Sequence, residues 1–241
     1  MNRSFKDEVK LIYDAPEPVR KDAFLKQHHR REITIEELIK TQAGYISKLS
    51  WFGSLVLFVT AIVFVRYISN DTIWAIASLM PAFAMLLLVE NGRAAYYGMI
   101  ELELSSRFSL CVAGMARLAA VGMTQMFLFL LLLPIFIFYE IGTIIQGAAY
   151  LLVPYLASVI LGLMAARKLK SKDSIYGCIG SALVVEAVQY IAYNIQPAMY
   201  APRYQFIWMI LLLGALIITA WQLYRTSRGM EELRWNWSQA N

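Results

Sequence analysis

Glu186 is the residue whose type and position most strongly suggest chemistry, because it lies near the middle of a long apolar segment. A charged carboxylate at mid-bilayer costs about 2.5–3.5 kcal/mol, so it should face protein or water, or be protonated. Gln189, Tyr190 and Tyr193 follow at helical spacing, which predicts one face shared by all four residues. This strip would line a substrate path or a subunit seam, or lock the bundle through a hydrogen bond between helices. Candidate polar partners in another apolar segment are Thr124 and Gln125.

Residue types that commonly hold metals or act as nucleophiles are sparse and poorly placed. The only histidines, His28 and His29, are adjacent, and the only cysteines, Cys111 and Cys178, stand in different segments. Neither pattern has metal-ligand or disulfide spacing. No long apolar segment contains a histidine, so an intramembrane hydrolase would lack a Ser–His pair or a histidine-held metal. The sequence therefore predicts a protein that is not an enzyme, with no metal and no cofactor bound by this chain.

The elements that would carry Glu186 are membrane-spanning helices. Hydrophobic residues make up 59% of the 241, above the roughly 45–50% usual in soluble proteins. About 20 apolar residues cross a bilayer as a helix. The runs of suitable length are 49–67, 72–89, 118–138, 146–166, 175–195 and 206–224. A short break at 139–143 separates the third run from the fourth, which together would be too long for one crossing.

The basic residues predict the orientation of these six spans. Twenty Lys and Arg fall in the two terminal segments and in the second-to-third and fourth-to-fifth connections, whereas only Arg66 and Arg203 fall on the other side. Because basic connections stay in the cytoplasm, both termini are expected there. Aromatic residues near span ends, including Trp74 and Trp208, suit lipid anchoring. We predict an all-α, polytopic protein of six transmembrane helices, and the basic bias is compatible with a bacterial inner membrane.

The N-terminal 48 residues are predicted to form two parts. Residues 1–33 form a cytoplasmic helical segment, and residues 34–48 form an amphipathic helix in the membrane interface, which leads into the first span. Thr34 and Glu37 make a capping box at its start. Its apolar face consists of Ile35, Leu38, Ile39 and Ile46. This helix is either an elbow that also meets a cytoplasmic partner or a plain lead-in along the membrane surface.

The connection 90–117 is too long for a tight turn and too apolar for a free loop. A short helix in its centre would present charged and aromatic groups to the cytoplasm, a mixture that suits protein docking. These groups are Glu101, Glu103, Arg107 and Phe108. The predicted transmembrane domain is therefore 49–224 with a cytoplasmic loop at 90–117, and residues 225–241 form a cytoplasmic tail.

The stretch Met99-Ile100-Glu101-Leu102-Glu103-Leu104-Ser105-Ser106-Arg107-Phe108-Ser109-Leu110, followed by Ala116-Arg117-Leu118, resembles the coupling region of type 2 ATP-binding-cassette exporter permeases. In that family an amphipathic elbow helix precedes six spans. The resemblance implies that Glu101, Glu103, Arg107 and Phe108 sit on a separate ATPase subunit, which binds ATP and Mg. It also implies a second permease copy or homologue, and an amphipathic or hydrophobic substrate such as a peptide, lipid or drug.

Two features depart from the family pattern. Members often carry a re-entrant hairpin between spans five and six, whereas residues 196–205 allow only a short turn. The N-terminal 48 residues are also long for an elbow alone. This length leaves open an alternative, a polytopic membrane regulator or sensor whose N-terminal segment binds a signalling or transcription factor. Both hypotheses include contact with membrane lipids, and neither includes nucleic acid.

Overall fold

The computed structural model describes residues 35–67, 72–97, 110–138, 143–169 and 173–240. These residues form seven α-helices and no strand. The helices are α1 (Ile35–Tyr45), α2 (Lys48–Tyr67), α3 (Thr72–Tyr96), α4 (Leu110–Phe138), α5 (Ile144–Lys168), α6 (Asp173–Ile195) and α7 (Gln205–Ala240). Two 3-10 turns, Pro197–Tyr200 and Pro202–Tyr204, join α6 to α7. The chain divides into the units Met1–Thr34 and Ile35–Asn241, and the predicted segment 1–33 lies outside the described residues.

Helices α2 to α7 are each long and apolar enough to cross a membrane, which indicates a multi-pass membrane protein. The all-α class and the six candidate spans are confirmed. The predicted break between the third and fourth spans is also confirmed, since α4 ends at Phe138 and α5 begins at Ile144. Thr143 and Gln146 form a capping box at that start, where the Gln146 N–H donates to the Thr143 hydroxyl at 3.3 Å. These polar groups satisfy free amides that would otherwise be unpaired at the beginning of α5.

Several predicted boundaries are wrong because the helices extend beyond their apolar cores. Helix α3 continues to Tyr96 instead of ending at residue 89, and α4 begins at Leu110 instead of residue 118. The predicted loop 90–117 is therefore helical at both ends. Helix α7 continues to Ala240 through most of the predicted tail. Hydropathy marks only the part of a helix that suits hydrocarbon, and backbone hydrogen bonding continues into polar sequence beyond it.

Helices α3 and α5 form the centre of the bundle, while α2, α6 and α7 are peripheral and keep broad exposed apolar surfaces. Rings from three helices meet at the core. Phe83 of α3 lies edge-on to Phe129 of α4 at 5.2 Å between ring centroids, and Phe129 lies edge-on to Tyr155 of α5 at the same distance. Aromatic pairs prefer this tilted geometry, because the positive edge of one ring faces the negative face of the next.

Gly162 is a point at which α5 approaches α3 and α6 closely. A Cβ atom at this position would overlap Leu88 of α3 and lie 3.2 Å from the Ser181 hydroxyl of α6. Small residues permit close packing of membrane helices, where dispersion forces and shape complementarity replace the hydrophobic effect. A side chain at residue 162 would therefore require Leu88 to move.

Candidate functional sites

The break between α1 and α2 is held by a carboxylate from a different helix. Ser47 stands between the two helices, and its hydroxyl oxygen accepts a hydrogen bond from the Ser50 N–H at 3.2 Å, as an N-cap does. The Glu90 carboxylate of α3 accepts two further bonds, from the Ser47 N–H at 2.9 Å and the Ser47 hydroxyl at 2.8 Å. We call Ser47, Ser50 and Glu90 the elbow junction. Sequence reasoning missed it, because Glu90 was only the boundary of a predicted loop.

Glu90 is 5% exposed, so its charge needs compensation. Arg93, one turn later on α3, donates to the same carboxylate at 2.9 Å. The partial positive charge at the N-terminus of α2 is a second favourable electrostatic interaction with the Glu90 carboxylate. Two hydrogen bonds from Ser47 therefore fix the end of α3 to the beginning of α2, and Arg93 and the N-terminus of α2 place positive charge beside the carboxylate.

Helix α1 packs against α4 beside this junction. Ile46, which follows α1, is buried, and Ile39 is partly buried against the same core. The side chains of Ile35 and Leu38 lie outside the described part of the structure, and the placement of α1 in a membrane interface stays a prediction. A small cavity confirms that α2 and α4 adjoin here; its lining includes Ile46, Ser50, Ser54, Val121 and Thr124.

The predicted coupling residues Glu101, Glu103, Arg107 and Phe108 lie outside the described residues, in the segment 98–109. The described chain reaches Tyr97 at the end of α3 and resumes at Leu110 in α4. Both flanking helices take part in the packing around the elbow junction. The segment that carries the predicted coupling residues is therefore flanked by α3, whose Glu90 belongs to the elbow junction, and by α4, which packs against α1 beside it.

The strip predicted on one face of α6 is divided between two environments. Gln189 is buried and Tyr193 is partly buried, whereas Glu186 and Tyr190 are exposed on the outer surface of the bundle. The boundary between the packed and exposed sides of α6 passes between these positions. Glu186 therefore faces whatever surrounds this chain, and the four side chains, which follow one another at helical spacing, differ in burial.

Gln125 is not available to pair with Glu186, because other core groups already use its side-chain amide. Its amide nitrogen donates to the Phe83 carbonyl at 2.8 Å, and its oxygen accepts from the Tyr155 hydroxyl at 2.8 Å. Thr124 donates to the Ala120 carbonyl of its own helix at 3.0 Å. Gln125 instead joins α3, α4 and α5 through hydrogen bonds inside an apolar core, where such groups are costly unless they are paired.

A cluster of aromatic side chains packs around the 3-10 turns between α6 and α7, and we call it the turn cap: Tyr150 of α5, Tyr200 of the first turn and Trp208 of α7. Their rings lie 5.1–5.3 Å apart. The Tyr150 hydroxyl donates to the Tyr200 carbonyl at 3.0 Å, and the Trp208 indole N–H donates to the Met199 carbonyl at 2.9 Å. Trp208 is buried, so its predicted role as a lipid anchor is wrong; it holds the turn on the bundle instead.

Unpaired polar groups adjoin the turn cap. Among the described residues, both side-chain amide atoms of Gln189, the Tyr200 hydroxyl and the Trp74 indole N–H are buried without a hydrogen bond of ordinary geometry. Burial raises the pKa of Tyr200, and the nearby Gln189 amide opposes that shift. Trp74 stacks on Tyr193 at 4.7 Å. These donors and acceptors come from α3, α6 and the 3-10 turn Pro197–Tyr200, and they could form hydrogen bonds with a polar group of a ligand.

Within the described ranges, no group of three or more His, Cys, Asp or Glu side chains could hold a metal ion. No protein-family model, no curated protein and no solved structure matches this chain. The structural candidates for function are the elbow junction, the exposed flank of α6 and the unpaired polar groups beside the turn cap.

Proposed function

We propose that this chain is the transmembrane permease subunit of an ATP-binding-cassette exporter, driven by a separate ATPase chain. The supporting observation is the elbow junction. A permease must transmit movement of its ATPase into several spans at once, and this requires a stiff connection at the surface where the ATPase docks. The Glu90 carboxylate supplies one by joining α3 directly to the first residue before α2.

The predicted coupling residues fit this proposal by their position along the chain. Glu101, Glu103, Arg107 and Phe108 come after the end of α3 at Tyr96, eleven to eighteen residues after Glu90. A force on residues 98–109 would act on α3 and α4 together. Helix α1, which packs against α4, would act as the elbow and follow the same movement. ATP and Mg would bind to the partner chain.

The proposed substrate path involves the α6 flank and the groups beside the turn cap. Glu186 and Tyr190 face outward and carry polar groups on an otherwise apolar surface, which suits a seam with a second permease copy or homologue. Gln189 and Tyr193 lie on the inward side of the same helix, close to the unpaired groups of Trp74 and Tyr200. An amphipathic or hydrophobic peptide, lipid or drug would present both apolar surface and polar groups to this region.

The test compares Glu90→Gln with a matched control, Asp173→Asn. Asp173 begins α6 at the same end of the bundle, where Gly92 of α3 lies against Ile175, but it has no part in the elbow junction. The tagged full chain is purified in mild detergent from cells that express it, and bound ATPase activity is measured at equal chain level. Because hydrogen bonds to charged groups contribute about 1.5–3 kcal/mol, Glu90→Gln is expected to lower that activity about tenfold.

The control variant should retain the activity of the unaltered chain. Equal activity in both variants would remove the elbow junction from the mechanism. Purification of a transcription or signalling factor without any ATPase would contradict the exporter proposal. That result would favour the regulator, in which the N-terminal segment binds the factor. The observation that supports this alternative is the division of the chain after Thr34.

A further inference from the structure

Basic side chains gather where the end of α5 meets α7. Arg167 and Lys168 occupy the last turn of α5, and Arg225 and Arg228 lie on the facing part of α7. The Arg167 guanidinium donates a hydrogen bond to the buried side chain of Gln222, which fixes the register of the two helices. Arg225 follows Gln222 by one turn. The contact between Arg167 and Gln222 therefore brings the guanidinium groups of Arg167 and Arg225 close together.

These cations are not neutralised by the described residues around them. The charges of Arg167 and Arg225 act on each other across the seam. The Nε–H of Arg167 is buried without a hydrogen-bond acceptor among the described residues. Two like charges and an unused donor make an environment that an anion would stabilise, and phosphate oxygens match the planar donor array of arginine.

Along the surface of α7, exposed apolar side chains are followed by aromatic rings and then by arginines, the order that matches the acyl chains, interface and headgroup of a phospholipid. Leu213 and Ile217 are exposed and apolar, and one to two turns later Trp221 and Tyr224 expose their rings. Beyond them, the Arg225 guanidinium lies 5.4 Å from the centre of the Trp221 ring, and that of Arg228 lies 5.0 Å from the centre of the Tyr224 ring. Aromatic rings of this kind occupy the boundary between hydrocarbon and headgroups.

We propose that the seam between α5 and α7 binds the headgroup of an anionic phospholipid. Its phosphate contacts Arg167 and Arg225, Arg228 adds positive charge, and the acyl chains lie along Leu213 and Ile217. The apolar surface next to the cations favours a lipid over a free phosphate ion, because only a lipid covers both parts. This site is independent of the exporter proposal, since it requires only that α5 and α7 span a membrane.

The test measures lipid binding to the purified full chain by native mass spectrometry in detergent. Phosphatidylglycerol, phosphatidylcholine and inorganic phosphate are titrated separately. Arg225→Gln and Arg228→Gln are compared with Arg66→Gln, which removes the same charge at the opposite end of α2 from the elbow junction. The Arg167–Gln222 contact is left intact in all three variants, so the packing of α5 on α7 is retained.

The unaltered chain is expected to bind phosphatidylglycerol more tightly than phosphatidylcholine. Each α7 variant should weaken phosphatidylglycerol binding about fivefold, the usual contribution of one basic residue near an anionic membrane surface. Arg66→Gln should bind as the unaltered chain does. Equal binding of the two lipids, inorganic phosphate binding as tightly as phosphatidylglycerol, or no loss in Arg225→Gln would each overturn the proposal.

Discussion

At the residue scale, Glu90 and Glu186 place the same carboxyl group in opposite settings. Glu90 is buried and accepts hydrogen bonds from Ser47 and Arg93. Glu186 is exposed on α6, with the apolar side chains of Leu183 and Val184 exposed near it. The first carboxylate is compensated within the chain, whereas the second depends on lipid, on water or on another subunit. Their sequence neighbourhoods indicate polarity in both cases but not this difference.

The exposure of Glu186 leads to a prediction for the isolated chain. In nanodiscs that hold one copy, Glu186→Leu should raise Tm, because it removes a carboxyl group whose placement in hydrocarbon costs about 2.5–3.5 kcal/mol. Glu186→Gln keeps a polar side chain of similar size and should change Tm less. Thermal unfolding followed by intrinsic fluorescence provides the measurement. A lower Tm for Glu186→Leu would mean that the carboxyl group stabilises the single chain, contrary to its exposed position.

At the element scale, the placement of α5 depends on a close approach that no large side chain would allow. Gly162 lies against Leu88 of α3 and Ser181 of α6. Cys178 of α6, also buried, directs its thiol to the Gly162 carbonyl at 3.7 Å. Since α5 also contacts α7, the spacing at Gly162 sets the position of the seam that carries Arg167.

Gly162→Leu should therefore destabilise the bundle. Overpacking of a close-packed site usually costs about 1–3 kcal/mol, so a lower Tm in detergent is expected. The matched control is Gly180→Leu, because a Cβ atom at Gly180 would meet nothing within 4 Å. Both proteins can be compared by thermal denaturation with size-exclusion detection. Equal Tm values for the two variants would contradict the close approach at Gly162.

At the scale of the whole molecule, the distribution of charge predicts which end of the bundle faces the cytoplasm. The twenty Lys and Arg predicted on the cytoplasmic side include Arg93 beside the elbow junction and the basic residues of the α5–α7 seam, and only Arg66 and Arg203 are predicted on the other side. Arg203 is exposed in the second 3-10 turn beside the Tyr204 ring. The proposed ATPase surface and the turn cap are thus expected on opposite sides of the membrane.

Reporter fusions test this orientation directly. Fusions after residues 70, 141 and 199 should activate alkaline phosphatase, which requires export, while fusions after residue 171 and at the C-terminus should give fluorescent protein that matures in the cytoplasm. The physical reason is the retention of basic connections on the side of synthesis. Export of the reporter after residue 171 would leave no cytoplasmic surface for an ATPase at the elbow junction.

The sequence by itself determined the helices and the number of candidate spans, because an apolar run of bilayer length is a local property of the chain. It also indicated the charge asymmetry and the apolar character of Ile39 in α1 and of Ile46 after it. The coupling residues Glu101, Glu103, Arg107 and Phe108 stay predictions.

Only the tertiary structure decided which side of each helix packs inward. Lipid is as apolar as a protein core, so hydrophobic periodicity does not distinguish the outer face of α6 from its inner face. The partners of polar groups are likewise distant in sequence: Ser47 and Glu90 are 43 residues apart, and Gln125 and Tyr155 are 30 apart. Helix packing alone brings such pairs within hydrogen-bonding distance, and it leaves Glu186 outside while enclosing Gln189.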